Sequence, residues 1–205
     1  MSSGPIEIVR GEEGRRRAIE LLRAGQVIAF PTDTVYGLAA RAADGRAVRR
    51  VYELKGRSLS QPLILMVREA AEVEEWARVD DRSRRYVERW WPGPLTLVLP
   101  ARPDLRPPLA VGRPRAVAVR IPDHPLALEL LAEAGEALAT TSANRSGEPP
   151  ALTALEAAWV GGLAVVLDGG QAPGGVPSTL LDLTGPEPRV LREGPVPASQ
   201  LLADV

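Results

Sequence analysis

The chain contains no cysteine and a single histidine, His124. The first absence excludes disulfides, thiolate zinc sites, iron–sulfur clusters and a cysteine nucleophile. The second excludes a multi-histidine metal site, and any Ser-His-Asp triad would have to run through His124. No apolar run approaches the roughly 18 residues of a membrane-spanning helix, and Met1–Pro5 lacks the form of a signal peptide. A soluble cytoplasmic protein without membrane association is expected. The net charge of -1 is not the strongly basic balance of a nucleic-acid binder. Lys55 is the only lysine among 25 basic residues, a skew that coding bias explains. Phosphate-binding signatures are missing too. There is no G-x-x-x-x-G-K-[ST], no G-x-G-x-x-G behind a strand and no G-x-S-x-G, so a nucleotide site must be built another way.

What is present is globular. The 205 residues are 45% hydrophobic and 25% charged, enough for one domain over residues 1–205 with a real core. Strands are expected at 6–9, 27–30, 35–40, 63–67, 95–99, 117–121, 137–141, 163–167, 179–183 and 189–191. Helices are expected at 12–24, 44–54, 69–77, 83–90, 125–134, 153–159 and 198–202. In the first helix Ala18, Leu21 and Leu22 share a face and Gly25 caps the end. Asp44 caps the second, with Val48, Val51 and Tyr52 inward. Pro125 opens another at its first position. Strict strand–helix alternation fails, so the fold class is α/β (α+β), a large twisted mixed sheet flanked by helices.

Four polar segments stand where strands or helices run into loops. Pro31–Gly37 offers Thr32, Asp33 and Thr34 at a strand end, a usual place for ligand contacts. Lys55–Pro62 places a compact cation, the planar fork of Arg57 and the amide of Gln61 before an apolar strand. Thr140–Gly147 ends a hydrophobic strand in hydroxyls, with Ser142 and Asn144 two apart. Gly174–Thr179 combines glycines that allow close backbone approach with Ser178 at a strand entrance. Arg120 and Arg192 lie in apolar strands, and a buried arginine there needs an anionic partner. Each segment alone also reads as an ordinary turn, solvated loop or surface ion pair. For His124 a bond to a local carbonyl at a helix start is the preferred reading, and for Trp90 and Trp91 core packing beside a rigid turn.

Together these segments resemble the YrdC-like threonylcarbamoyl-AMP synthases. The resemblance runs from about Gly25 to Gly194 through GQVIAFPTDTVYGLAA, KGR with QPL behind it, WPGPLTLVLP, VAVRIPDHP, TTSANRSGEPP, GGVPSTLLDL and VLREGPV. It implies a fold with a concave, positively charged face. The implied reaction joins L-threonine, bicarbonate and ATP, with Mg2+, into threonylcarbamoyl-adenylate and pyrophosphate. That product feeds the tRNA threonylcarbamoyl transfer machinery.

The resemblance puts the active-site set on Lys55, Arg57, Ser142 and Asn144. It puts ATP contacts on Arg57, Gln61, Ser142 and Arg192, with Ala116 and Pro150 as backbone candidates. Threonine contacts fall on Thr34, Arg120, Thr140 and Ser178, and no metal ligand is assigned to a protein side chain. Ser58 stands where many relatives have proline, and Met66 where some have histidine. The chain ends at Val205, so it reads as the short form.

The alternatives are an RNA-binding or ribosome-maturation module, motivated by the arginines of Arg102–Arg120, and a paralogue with another substrate. Weak RNA binding is compatible with either. A carbamoyl-adenylate enzyme of hydrogenase maturation would carry cysteine modules, and this chain has none.

Overall fold

The computed structural model describes residues 6–103 and 116–203. Within them lie ten strands: β1 (Glu7–Arg10), β2 (Ile28–Phe30), β3 (Gly37–Arg41), β4 (Ile64–Met66), β5 (Leu95–Pro100), β6 (Ala116–Arg120), β7 (Leu138–Ser142), β8 (Val165–Asp168), β9 (Thr179–Asp182) and β10 (Arg189–Arg192). Seven helices accompany them: α1 (Gly11–Arg23), α2 (Gly45–Lys55), α3 (Ala70–Val73), α4 (Asp81–Trp90), α5 (Pro125–Ala134), α6 (Ala154–Ala158) and α7 (Ala198–Leu202).

All ten strands form one sheet in the order β1-β8-β2-β3-β7-β4-β6-β5-β9-β10. Four parallel pairs (β1 with β8, β2 with β8, β4 with β6, β5 with β9) are interspersed with five antiparallel ones, so the sheet is mixed. Side-chain alternation along each strand then divides the residues between two faces. Leu65, Leu97, Val119, Ala139 and Leu181 enter the larger core, under Val48, Val51 and Tyr52 of α2, Tyr86 of α4 and Leu201 of α7. Fully burying one such leucine contributes roughly 1.5–3 kcal/mol.

The opposite face is covered only in part. Helices α1 and α5 press Ala18, Ile19, Leu22, Leu130 and Leu131 onto Ile28, Phe30, Ala39, Leu138 and Leu167. Beyond them the strands from β4 to β10 keep their second face open, and that face becomes the floor of a cavity.

Local chemistry sets the element ends. The Asp44 carboxylate accepts from the backbone N–H groups of Arg46 and Ala47, and α2 ends at Gly56, whose φ of 63° is left-handed. That turn separates Lys55 from Arg57 and sends their side chains different ways. Thr153 and Glu156 form a capping box at α6. Two sequence expectations are corrected. In α1 the buried residue is Ile19, with Leu21 only half-buried, because the helix also rests Gly14 against the sheet. The helix expected over 69–77 shrinks to α3 and continues as turns. No helix among the described residues is long and apolar enough to cross a membrane.

Candidate active site

The open half of the sheet floors a cavity of about 710 Å³, a size suited to a nucleotide-sized ligand. Its floor is Ile64 and Met66 of β4, Val98 of β5, Ala116 and Ala118 of β6 and Leu180 of β9. Polar groups converge on this apolar base from separate strands and loops: Thr34, Arg57, Gln61, Arg120, Thr140, Ser142, Ser178 and Arg192. Asp182 is the one carboxylate among the described lining residues.

The three arginines from β6, β10 and the loop after α2 are held differently. Arg120 is 2% exposed, and its Nη2 lies 2.6 Å from Asp33 Oδ1. Its Nε donates to the Gly93 carbonyl at 3.0 Å and its Nη1 to Thr34 Oγ1 at 3.0 Å. Arg57 donates only to the carbonyls of Gln61 and Pro62. Arg192 donates to Ser178 O at 2.8 Å and is more open to solvent. Desolvation lowers the pKa of all three; Arg120 and Arg57 add repulsion at Arg192, while Asp33 opposes the fall at Arg120. Every one stays protonated at neutral pH.

Lys55 sits just behind the wall. It is 4% exposed, and its Nζ donates to Asn144 Oδ1 at 2.6 Å, Ser142 O at 2.8 Å, Ser142 Oγ at 3.1 Å and Asn144 O at 3.2 Å. Burial, and then the nearby Arg57, pull its pKa down to about 8. Ser142 Oγ in turn donates to Asn144 Oδ1 at 2.6 Å, so the three side chains form a closed triangle with only the serine facing the cavity.

Comparison with known proteins fits this geometry. The family model Sua5_yciO_yrdC, described as "Telomere recombination", matches residues 20–194. The chain belongs to the Sua5/YciO/YrdC family. It is 40% identical over 190 residues to the threonylcarbamoyl-AMP synthase of Bacillus subtilis, covering 91% of this chain and 55% of that protein. A putative threonylcarbamoyl-AMP synthase of Mycobacterium tuberculosis is 40% identical over 191 residues, covering 92% and 87%. The crystal structure of P. abyssi Sua5 complexed with L-threonine superposes with a TM-score of 0.91 at 38% identity, over 98% of this chain and 60% of that one. The chain thus spans about half the length of the B. subtilis relative.

Within this Sua5/YciO/YrdC domain, nine of the sequence-predicted residues line the cavity: Thr34, Arg57, Gln61, Ala116, Arg120, Thr140, Ser142, Ser178 and Arg192. Lys55 and Asn144 do not line it and reach it through Ser142, and Pro150 lies outside the lining. Thr32 of the Pro31–Gly37 segment lines it as well, and sequence reasoning left out Asp182, Thr184 and Arg189, which line it too. Alternation along β9 from Leu180 was the available signal for Asp182.

Some expected contacts differ. Gly174 lies close against the chain itself: its N–H donates to Thr34 O, and a Cβ there would lie 2.7 Å from that oxygen. His124 is the N-cap residue of α5 and makes no cap bond; its Nδ1 is buried without a partner. Trp91 does pack in the core, donating from its indole nitrogen to Leu95 O at 2.6 Å. Arginines 106, 113 and 115, which motivated the RNA reading, lie outside the described residues.

Proposed function

We propose that this chain is an L-threonylcarbamoyladenylate synthase, condensing L-threonine, bicarbonate and ATP to threonylcarbamoyl-AMP and pyrophosphate. The observation that carries the reading is the convergence of Arg57, Arg120 and Arg192 with the hydroxyls of Thr34, Thr140, Ser142 and Ser178 in one cavity. The L-threonine complex of P. abyssi Sua5 supports the amino-acid half of it.

The reaction needs a triphosphate held beside a small zwitterion. Arg57 and Arg192 have no carboxylate partner among the described residues and suit phosphate oxygens, which a guanidinium can grip by two bonds. Negative charge builds on pyrophosphate as it leaves, and fixed cations aimed there contribute about 3–4 kcal/mol each in comparable sites. Gln61 and the backbone at Ala116 and Pro150 are the remaining nucleotide contacts. Mg2+ would travel with ATP, and a magnesium that keeps its phosphate and water ligands suits a wall with one carboxylate, Asp182.

Arg120 takes the threonine carboxylate. Thr34, Thr140 and Ser178 surround the rest of the amino acid, and a buried hydroxyl left unpaired discriminates against apolar analogues. Lys55 and Asn144 fix Ser142 at the wall. The threonine amine adds to bicarbonate carbon, which gives up one oxygen as water to leave the carbamate, and the carbamate oxygen then attacks the α-phosphorus while its bond to pyrophosphate breaks. The product would pass to a tRNA threonylcarbamoyl transfer system in the cytoplasm.

The test is pyrophosphate release from ATP with bicarbonate and threonine, with serine or no amino acid as controls. Threonine-dependent release with a threonylcarbamoyl-AMP product is expected. Release independent of threonine, or none, overturns the reading.

A further inference from the structure

Four arginines, Arg57, Arg120, Arg189 and Arg192, line one cavity that must receive two kinds of anion, a monoanionic carboxylate and a polyanionic triphosphate. Of the four, Arg120 alone is matched to a carboxylate among the described residues. Arg120 Nη2 lies 2.6 Å from Asp33 Oδ1, whereas Arg57 and Arg192 meet backbone carbonyls and, at Arg192, the Ser178 hydroxyl. Asp33 does not line the cavity, and its Oδ2 is buried without a partner. It therefore touches no substrate in that cavity and acts through Arg120.

We propose that Asp33 is a positioning residue that reserves Arg120 for the threonine carboxylate and withholds it from the triphosphate. The inference rests on the reading of Arg120 as the threonine-carboxylate group. A guanidinium carries five N–H donors. Gly93 O takes the one on Nε, Thr34 Oγ1 one on Nη1 and Asp33 Oδ1 one on Nη2, which leaves one on each terminal nitrogen. Those two remain for a ligand carboxylate, an anion that a guanidinium can grip by two bonds. The three contacts come from two loops, Asp33 and Thr34 from the turn after β2 and Gly93 from the turn after α4, so the guanidinium is fixed before any ligand arrives.

Charge does the sorting. With Asp33 beside it, Arg120 presents a nearly compensated pair, a sufficient match for one carboxylate and a poor competitor for a triphosphate. Without Asp33, a 2% exposed cation would stand uncompensated next to Arg192, whose guanidinium already feels its repulsion. The arginine would then turn toward the strongest anion in reach, the phosphates of ATP. Asp33 sits between the two threonines that start this wall, and Thr32 Oγ1 holds Thr34 Oγ1 at 3.0 Å. The same turn thus sets the donor, its counter-charge and the hydroxyl that faces the ligand.

The experiment separates the two substrates. Asp33→Asn keeps the shape and removes the charge. It should raise the threonine KM tenfold or more, leave the ATP KM unchanged or lower it, and reduce kcat by a smaller factor. Arg120→Met and the double variant Asp33→Asn/Arg120→Met are measured alongside, with threonine-induced thermal shift as a readout independent of turnover. In the Arg120→Met background Asp33→Asn should add nothing to the threonine KM. If Asp33→Asn alone leaves threonine KM within twofold of the wild type while Arg120→Met raises it, the proposal falls and the threonine site stands. Parallel increases in both KM values after Asp33→Asn also sink it, as general damage. If Arg120→Met itself has no effect on threonine KM, the site reading fails and takes the proposal with it.

Discussion

Lys55 Nζ lies 2.6 Å from Asn144 Oδ1, and all four of its hydrogen-bond acceptors are uncharged oxygens. A buried ammonium without a counter-ion holds its proton weakly, which is why its pKa falls to about 8. The charge nevertheless persists at neutral pH, where it ties the end of β7 to the end of α2.

Turnover should therefore decline as pH rises through about 8, when Lys55 loses the proton that holds Ser142 and Asn144. A kcat profile between pH 7 and 10 checks this. Stability moves the other way. The folded pKa is below the usual lysine value, so the unfolded chain binds the extra proton between about 8 and 10.5, and this group's contribution to stability rises with pH across that window. Lys55→Met should lack that rise in denaturation midpoints. No second lysine confuses the measurement.

Arg57→Ala and Arg192→Ala should each weaken ATP binding about tenfold or more, the scale of a charge-assisted contact. Neither pairs with a carboxylate in the described residues, so melting temperatures should hardly change. Calorimetric titration with a non-hydrolysable ATP analogue reads the effect, and unchanged affinity in both variants would remove them from the phosphate site.

Gly174→Ala should raise the threonine KM and lower stability by about 1–3 kcal/mol, the usual penalty for forcing atoms into a closed contact. The added methyl would lie 2.7 Å from Thr34 O and 2.9 Å from Thr34 Cα, so the Thr34 turn has to move. Threonine kinetics and a urea melt on the variant test both halves.

His124 supplies a second pH dependence. Burial lowers its pKa below the usual 6.5, against the opposing pull of Asp33 and Asp123. The unfolded chain then takes up the proton first as pH drops, so this group removes stability below about pH 6.5. His124→Gln should flatten the fall in urea midpoint between pH 7 and 5 relative to the wild type.

Much of this was readable in the sequence, for physical reasons that differ by residue. The Asp44 cap, the opening at Pro125 and the inward Val48, Val51 and Tyr52 depend on local chemistry, and they stand as expected. An arginine in an apolar strand demanded an anion, and Arg120 has Asp33. The ten strand and seven helix segments expected from pattern each find a counterpart among the described residues, with shifted ends. The strands expected at 27–30 and 63–67 are found as β2 and β4, and sheet pairing, which the sequence does not carry, trims each to three residues. The positions of Lys55 and Asn144 behind the wall also escaped the sequence, because a motif gives residue types and not the side of a loop from which they act. Nor could composition indicate that Gly174 faces Thr34, a contact between residues 140 positions apart.

Every second residue of β4 and β9 faces the cavity while its neighbours enter the core, so the domain lines its cavity with the same two-residue rhythm that assembles the sheet. A slip of one position in β6 would bring Val119 to the cavity and thrust the guanidinium of Arg120 among leucines, away from Asp33, where an unpaired buried charge is strongly destabilising. The alignment that shapes the cavity is thus the alignment that keeps its deepest charge paired.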